Sequence, residues 1–195
     1  MKPKIGIMGS AIERGTGSGN INERGKKLAY ELGTEIARHN CILINGACTG
    51  IPDDAAHGAK DNDGFVIGIS PAGNYEEHTK RYNFPIKFYD VLIYTGFGFK
   101  GRNVVNVSNC DAVIIVSGRV GTLNEFTIAY DEGQIIGIME GSGGVADHAK
   151  QIIKICKKKT GATVIYDRNP RTLVKRLLSE INKRRKKGKM GKSLS

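Results

Sequence analysis

Residues 111–130 read DAVIIVSGRVGTLNEFTIAY, and their pattern decides the fold. Ala112 to Val116 is an unbroken apolar run between polar residues, the mark of a strand buried on both faces. Ser117-Gly118-Arg119-Val120-Gly121-Thr122 interrupts the run with two glycines. Leu123, Phe126, Thr127 and Tyr130 then recur at helical spacing, so a helix is expected after Thr122. The stretch is strand, glycine turn, helix. Such a turn aims backbone N–H groups from the start of a helix, a place that attracts phosphate. Glu125 is expected in the first turn of that helix, beside whatever binds.

Outward from this stretch the chain repeats the same alternation. Lys4 to Gly9 is a first strand, followed by a Gly/Ser-rich loop from Ser10 to Asn20 containing Gly15, Gly17 and Gly19. Mononucleotide folds often hold phosphate at such a loop, and Ser10 is nearest the strand end. The spacing is not the dinucleotide GxGxxG fingerprint, and a plain connector is an equal alternative. Asn20 or Asn22 can cap a helix running to Arg38. Cys41 to Ile44 is a second strand, ending in Asn45-Gly46-Ala47-Cys48-Thr49-Gly50, a second glycine turn. Gly46, Thr49 and Gly50 are candidate ligand contacts there, with a tight turn as the alternative. A helix starts at Ile51-Pro52, and its small residues Ala55, Ala56 and Ala59 permit close packing against the sheet.

Gly64 to Ser70 and Tyr89 to Tyr94 are further strands, separated by the polar segment Pro71–Asn83, a candidate pocket wall. His78 in that segment reads as a solvated loop residue. A helix from Arg102 to Asn109 precedes the organising strand. After it come Gln134–Met139 and Ala162–Tyr166 as strands, and two helices, the last capped by Asn169. Strands alternating with helices imply one Rossmann-like α/β domain, a parallel sheet with helices on both faces and a crevice at the strands' carboxyl ends.

The 195 residues suffice for one core, and no apolar run is long enough to span a membrane. The chain opens without a signal-peptide pattern, and its four cysteines form no CxxC pair, so a reducing cytoplasm is expected. No metal-ligand cluster is evident, so neither a catalytic metal nor a resident cofactor is expected. The net charge of +11 is concentrated at one end, since ten of the thirty Lys and Arg lie from Arg171 onward against a single acid, Glu180. The domain is therefore read as residues 1–182, with 183–195 (KRRKKGKMGKSLS) a basic, disordered tail. The tail alone suggests nucleic acid, and the body shows no aromatic stacking platform to support it.

The segment from Arg102 to Glu125 resembles the LOG-like, or "lysine decarboxylase-like", Rossmann superfamily, which carries an Arg one helix before an Asp-Ala strand and then PGGxGTxxE. Here Arg102 precedes Asp111 by nine positions, and residues 117–125 (SGRVGTLNE) occupy the motif. The form RNVVNVSNCDAV…GTLNE is closer to the subset with molybdenum cofactor carrier proteins than to the cytokinin-activating enzymes. Two positions depart from the motif, Ser117 for Pro and Arg119 for Gly, and Asn124 stands where the enzymatic branch commonly has Glu. Ser117 only begins a turn. Arg119 places a bulky cation in it, reaching a phosphate or excluding the family's usual ligand.

The resemblance implies a phosphorylated small-molecule partner, a nucleoside monophosphate or a pterin-type ligand, and a homodimer. Gly118, Arg119, Val120, Gly121 and Thr122 would hold the phosphate. In the family's phosphoribohydrolases, residues matching Arg102 and Glu125 orient the substrate and stabilise an oxocarbenium-like transition state. Glycosidic cleavage ordinarily uses two carboxylates. Asp111 sits at the wrong end of its strand, which leaves Asp53 or Asp54 as the candidate second. Three classes stay open: a carrier or sensor without turnover, an N-glycosidic phosphoribohydrolase, and a nucleic-acid-associated protein acting through the tail. For Arg102 and Glu125 the plain structural alternative is an ion pair that fixes the helix start.

Overall fold

Ala112–Val116, five consecutive buried residues, form a strand inside a seven-stranded parallel sheet. The computed structural model describes residues 1–11 and 23–192. In chain order the elements are β1 (Lys4–Gly9), α1 (Glu23–Arg38), β2 (Ile42–Asn45), α2 (Ile51–Lys60), β3 (Phe65–Ser70), β4 (Val91–Tyr94), α3 (Gly98–Ser108), β5 (Ala112–Val116), α4 (Val120–Asp131), β6 (Ile135–Met139), α5 (Gly144–Cys156), β7 (Thr163–Asp167) and α6 (Pro170–Lys192). The expected α/β Rossmann-like domain is what forms. The loop with Gly15, Gly17 and Gly19, and the caps Asn20 and Asn22, lie outside the described residues.

The strand order is β4-β3-β2-β1-β5-β6-β7. From β1 the chain winds outward to β4, then returns to lay β5 beside β1, with Ile5 opposite Ala112 and Gly9 opposite Val116. From β5 it winds outward the other way. The connections leaving β1 and β5 therefore diverge, and a crevice opens at their carboxyl ends.

Two apolar layers sandwich the sheet. Ile5, Ile7, Leu43, Ile114 and Val116 face α1, α2 and α6, which bury Leu32, Ala55 and Leu177 among others. Met8, Val113, Ile115 and Ile138 face α3, α4 and α5, which bury Val107, Phe126 and Ala149. The small residues of α2 serve its contact with α1 as well as the sheet. A Cβ on Gly33 would lie 1.9 Å from the Ala55 carbonyl oxygen, and one on Gly58 2.0 Å from that of Tyr30. The two backbones touch, and any side chain there would part them.

Three expectations need correction. The last helix does not end near residue 183 but continues to Lys192. Two of its basic side chains, Arg184 and Arg185, have partners on the body that the local sequence does not show. Arg184 donates to the Gly133 carbonyl and the Thr163 hydroxyl, both at 2.8 Å, and Arg185 donates to Asp111 at 3.1 Å. His78 is not solvated. It is wholly buried within a π-helical turn, Glu77–Arg81, between β3 and β4. Its Nδ1 accepts from the Ser70 hydroxyl at 2.8 Å and its Nε2 donates to the Pro85 carbonyl at 3.1 Å. Finally, α4 begins at Val120, so Glu125 falls in its second turn.

Candidate functional site

A cavity of about 720 Å³ opens at the carboxyl ends of β1 and β5. Its floor comes from the turn after β5. Ser117 (φ 53°) and Gly118 (φ 109°) are both left-handed, which bends the chain sharply into α4. A Cβ on Gly118 would sit 2.6 Å from the Thr122 methyl, so glycine is required there on two counts. Two of the turn's carbonyls are engaged by the start of α5. Those of Ser117 and Gly118 accept the amides of Ala146 and Val145 at 2.9 and 3.0 Å. Leu123 N–H bonds back to the Arg119 carbonyl at 2.8 Å, so the amides of Val120, Gly121 and Thr122 precede the helical ladder. All three residues line the cavity. Around Gly121 a Cβ would meet nothing within 4 Å, so this glycine borders open space.

Arg102 from α3 and Glu125 from α4 meet at the cavity's base, Nη1 to Oε1, at 2.9 Å, and both are more than nine-tenths buried. Asn106 donates to the same Glu125 oxygen at 3.2 Å. Burial pushes the Glu125 carboxyl above its usual range, against the opposing pull of Arg102 and the Asn106 amide. Arg102 Nε has no partner among the described residues. Behind the guanidinium stands Gly46, where a Cβ would be 2.3 Å from Nη2. The second glycine turn thus works as a backing plate. Cys48 lies 4.0 Å from Arg102 Nη2, and burial drives its thiol up to about 11, so it is a neutral wall rather than a thiolate.

Of the candidates from sequence, Ser10, Thr49, Arg102, Arg119, Val120, Gly121, Thr122 and Glu125 share this lining. Gly46, Gly50 and Gly118 stand outside it, Gly46 packed against Arg102 and Gly118 against Thr122. Arg119 adds a cross-strand latch, because its guanidinium donates to the Ala11 carbonyl at the end of β1. Asp53 and Asp54 are not in the lining. They occupy the first turn of α2, where Asp54 is held up to about 6 by burial and by Asp53. Among the described lining residues Glu125 is the sole carboxylate, against Arg81, Lys100, Arg102 and Arg119. The lining therefore favours an anion.

Sequence reasoning missed one wall. Tyr82, Phe84 and Phe99 line the cavity as a cluster, so the body does hold an aromatic platform. The only local signal was the pairing of YNF at 82–84 with GFGF at 96–99, and nothing short of the fold brings these together.

The sheet order and this crevice define a Rossmann-like α/β protein of the LOG-like superfamily. More narrowly, the chain belongs to the SLOG cluster4 family, whose profile matches residues 2–174. An uncharacterized protein of Archaeoglobus fulgidus is 36% identical over 118 residues, 60% of this chain and 72% of that one. Two solved structures share the fold over nearly their whole length. The molybdenum cofactor binding protein of Rippkaea orientalis is 28% identical with a TM-score of 0.73, covering 93% of this chain and 98% of its own. The molybdenum cofactor carrier protein of Chlamydomonas reinhardtii is 26% identical with a TM-score of 0.68, covering 92% and 99%.

Proposed function

We propose that the chain is a carrier or sensor that binds a phosphorylated pterin-type or nucleotide-like ligand without turning it over. The observation that carries this is the combination at α4. The first three residues of the helix line a cavity whose charged side chains, among the described residues, are four cations and one carboxylate, and that carboxylate is already ion-paired. Phosphate would lie on the amides of Val120, Gly121 and Thr122. Arg102, whose side chain borders the cavity, would add a charge-assisted bond. Structural neighbours that bind or carry molybdenum cofactor favour the pterin-type ligand.

A second reading, N-glycosidic phosphoribohydrolase, is favoured by the Arg102–Glu125 pair and by the raised carboxyl of Glu125, which suits proton transfer. The absence of a second carboxylate from the described lining weighs against it. Thermal shift and calorimetry with pterin phosphates and nucleoside 5′-monophosphates, run beside chromatography for released base, separate the two. A carrier is stabilised and releases no base. Base release that disappears in Glu125→Gln would establish the hydrolase instead, and no binding by any phosphorylated compound would overturn both.

The same proposal places the protein in the cytoplasm as a homodimer. Val91 and Ile93 on the edge strand β4, and Val104 on α3, leave apolar surface that a second copy would cover. Sedimentation of the wild type against Ile93→Lys checks this, with a lighter species expected for the variant.

A further inference from the structure

Tyr82, Phe84 and Phe99 belong to neither of the two apolar layers of the sheet. Tyr82 and Phe84 stack at 5.3 Å with 17° between planes, and Phe99 stands edge-on to both, at 5.3 and 6.1 Å. Phe99 is nonetheless 45% exposed. An aromatic group that is mutually packed, yet open to a cavity, keeps π-surface available to a guest. The cations at its border strengthen that character, with the Arg81 guanidinium 5.5 Å over the Tyr82 ring.

The wall is also held in place. Tyr82 N–H bonds to the Glu77 carbonyl at 3.0 Å, five residues back, the π-helical spacing. Phe84 N–H reaches the His78 carbonyl, also at 3.0 Å. The buried His78 imidazole meets Phe84 edge-on at 5.6 Å and ties β3, through Ser70, to Pro85.

We infer that this aromatic wall is the ring subsite of the cavity and takes a planar heteroaromatic system by stacking, while the amides of α4 take the phosphate of the same molecule. The inference rests on the reading of α4 as a phosphate site. The ligand class already proposed, a ring joined to a phosphate, thereby gains a place for its ring that is separate from the place for its phosphate. A cavity of about 720 Å³ is in the range of small-molecule sites that enclose a ligand of that size.

The test is calorimetric titration of the full chain with AMP, adenosine, neopterin and ribose 5-phosphate, for wild type, Phe99→Ala, Phe99→Leu and Gly121→Glu. Phe99→Leu keeps apolar bulk and removes the π-face, so it controls for misfolding, and thermal melting checks each variant. Stacking predicts that both Phe99 variants weaken AMP about tenfold, weaken adenosine and neopterin in parallel, and leave ribose 5-phosphate unchanged. Gly121→Glu should weaken AMP and ribose 5-phosphate and spare adenosine and neopterin. If ribose 5-phosphate fails to bind while adenosine or neopterin binding still depends on Phe99, the phosphate reading fails and the ring subsite stands. Equal loss of AMP and ribose 5-phosphate in the Phe99 variants would overturn the ring subsite. So would unchanged ring affinity, including the case where Phe99→Ala alters only the sedimentation of the protein, which would make the patch a contact between copies.

Discussion

The two glycine turns, 46–50 after β2 and 117–122 after β5, carry the same signal and do different work. Both end a buried parallel strand and open a helix. The turn after β5 gives the carbonyls of Ser117 and Gly118 to α5 and brings the first residues of α4 to the cavity. The turn after β2 meets an arginine instead, with Gly46 flat against the Arg102 guanidinium. The start of α2 already carries negative charge, because Asp53 and Asp54 occupy its first turn, where a helix dipole favours acids. The first turn of α2 therefore carries two acids and that of α4 none. Glycine spacing licenses a close approach, and the side chains arriving from other elements decide what approaches.

Breaking the comparison begins with its hinge. Arg102→Met leaves the Glu125 carboxyl buried without its partner and should cost about 3–5 kcal/mol, read by chemical denaturation, together with phosphate-ligand binding. Gly46→Ala comes next. Its methyl needs the space of the guanidinium, so a loss of about 2 kcal/mol is expected, whereas Gly121→Ala, with open space around it, should melt within about 1 °C of wild type. Equal effects of the two alanines would mean that the turns are equivalent after all.

Asp54→Asn probes the opposed charge at α2. The folded carboxyl is raised to about 6, so its favourable contribution is complete below the unfolded value near 3.9 and is lost as pH rises through 6. The variant should therefore be more stable at pH 8, by about 1–2 kcal/mol after allowance for partial exposure, and should lose that advantage near pH 4. The smallest effect is expected at His78, whose folded pKa burial lowers. Its contribution is present above about 6.5 and is lost as pH falls through the folded value. Melting from pH 8 to pH 5 should show a slope in the wild type that His78→Gln reduces.

Much of this was legible in advance, for a physical reason that differs by element. Ala112–Val116 has the same limits in sequence and structure because five apolar residues between Asp111 and Ser117 admit one strand and one register. Gly121 misled, since glycine read as turn is here the second residue of α4, small because the cavity lies beside it. His78 misled for the opposite cause. Its neighbours Glu76, Glu77, Lys80 and Arg81 are polar, and the partners that bury it come from Ser70, Phe84, Pro85 and Tyr94. Periodicity is silent on a π-helical turn. The basic end of the chain looked disordered because local composition does not show that Arg184 and Arg185 find carbonyls, a hydroxyl and Asp111 on the body.

By itself the sequence determined the alternation of elements and the two strand-to-glycine turns, because these are written in short-range patterns of burial and backbone freedom, while the candidate pair Arg102 and Glu125 came from the resemblance of residues 102–125 to the LOG-like pattern. Tertiary structure alone decided that β5 returns beside β1 to open the crevice, that Gly46 backs Arg102 across 56 residues of chain, and that Tyr82, Phe84 and Phe99 meet as one wall. Those are contacts between distant segments. They depend on how the whole sheet packs its helices, which no local window of the chain contains.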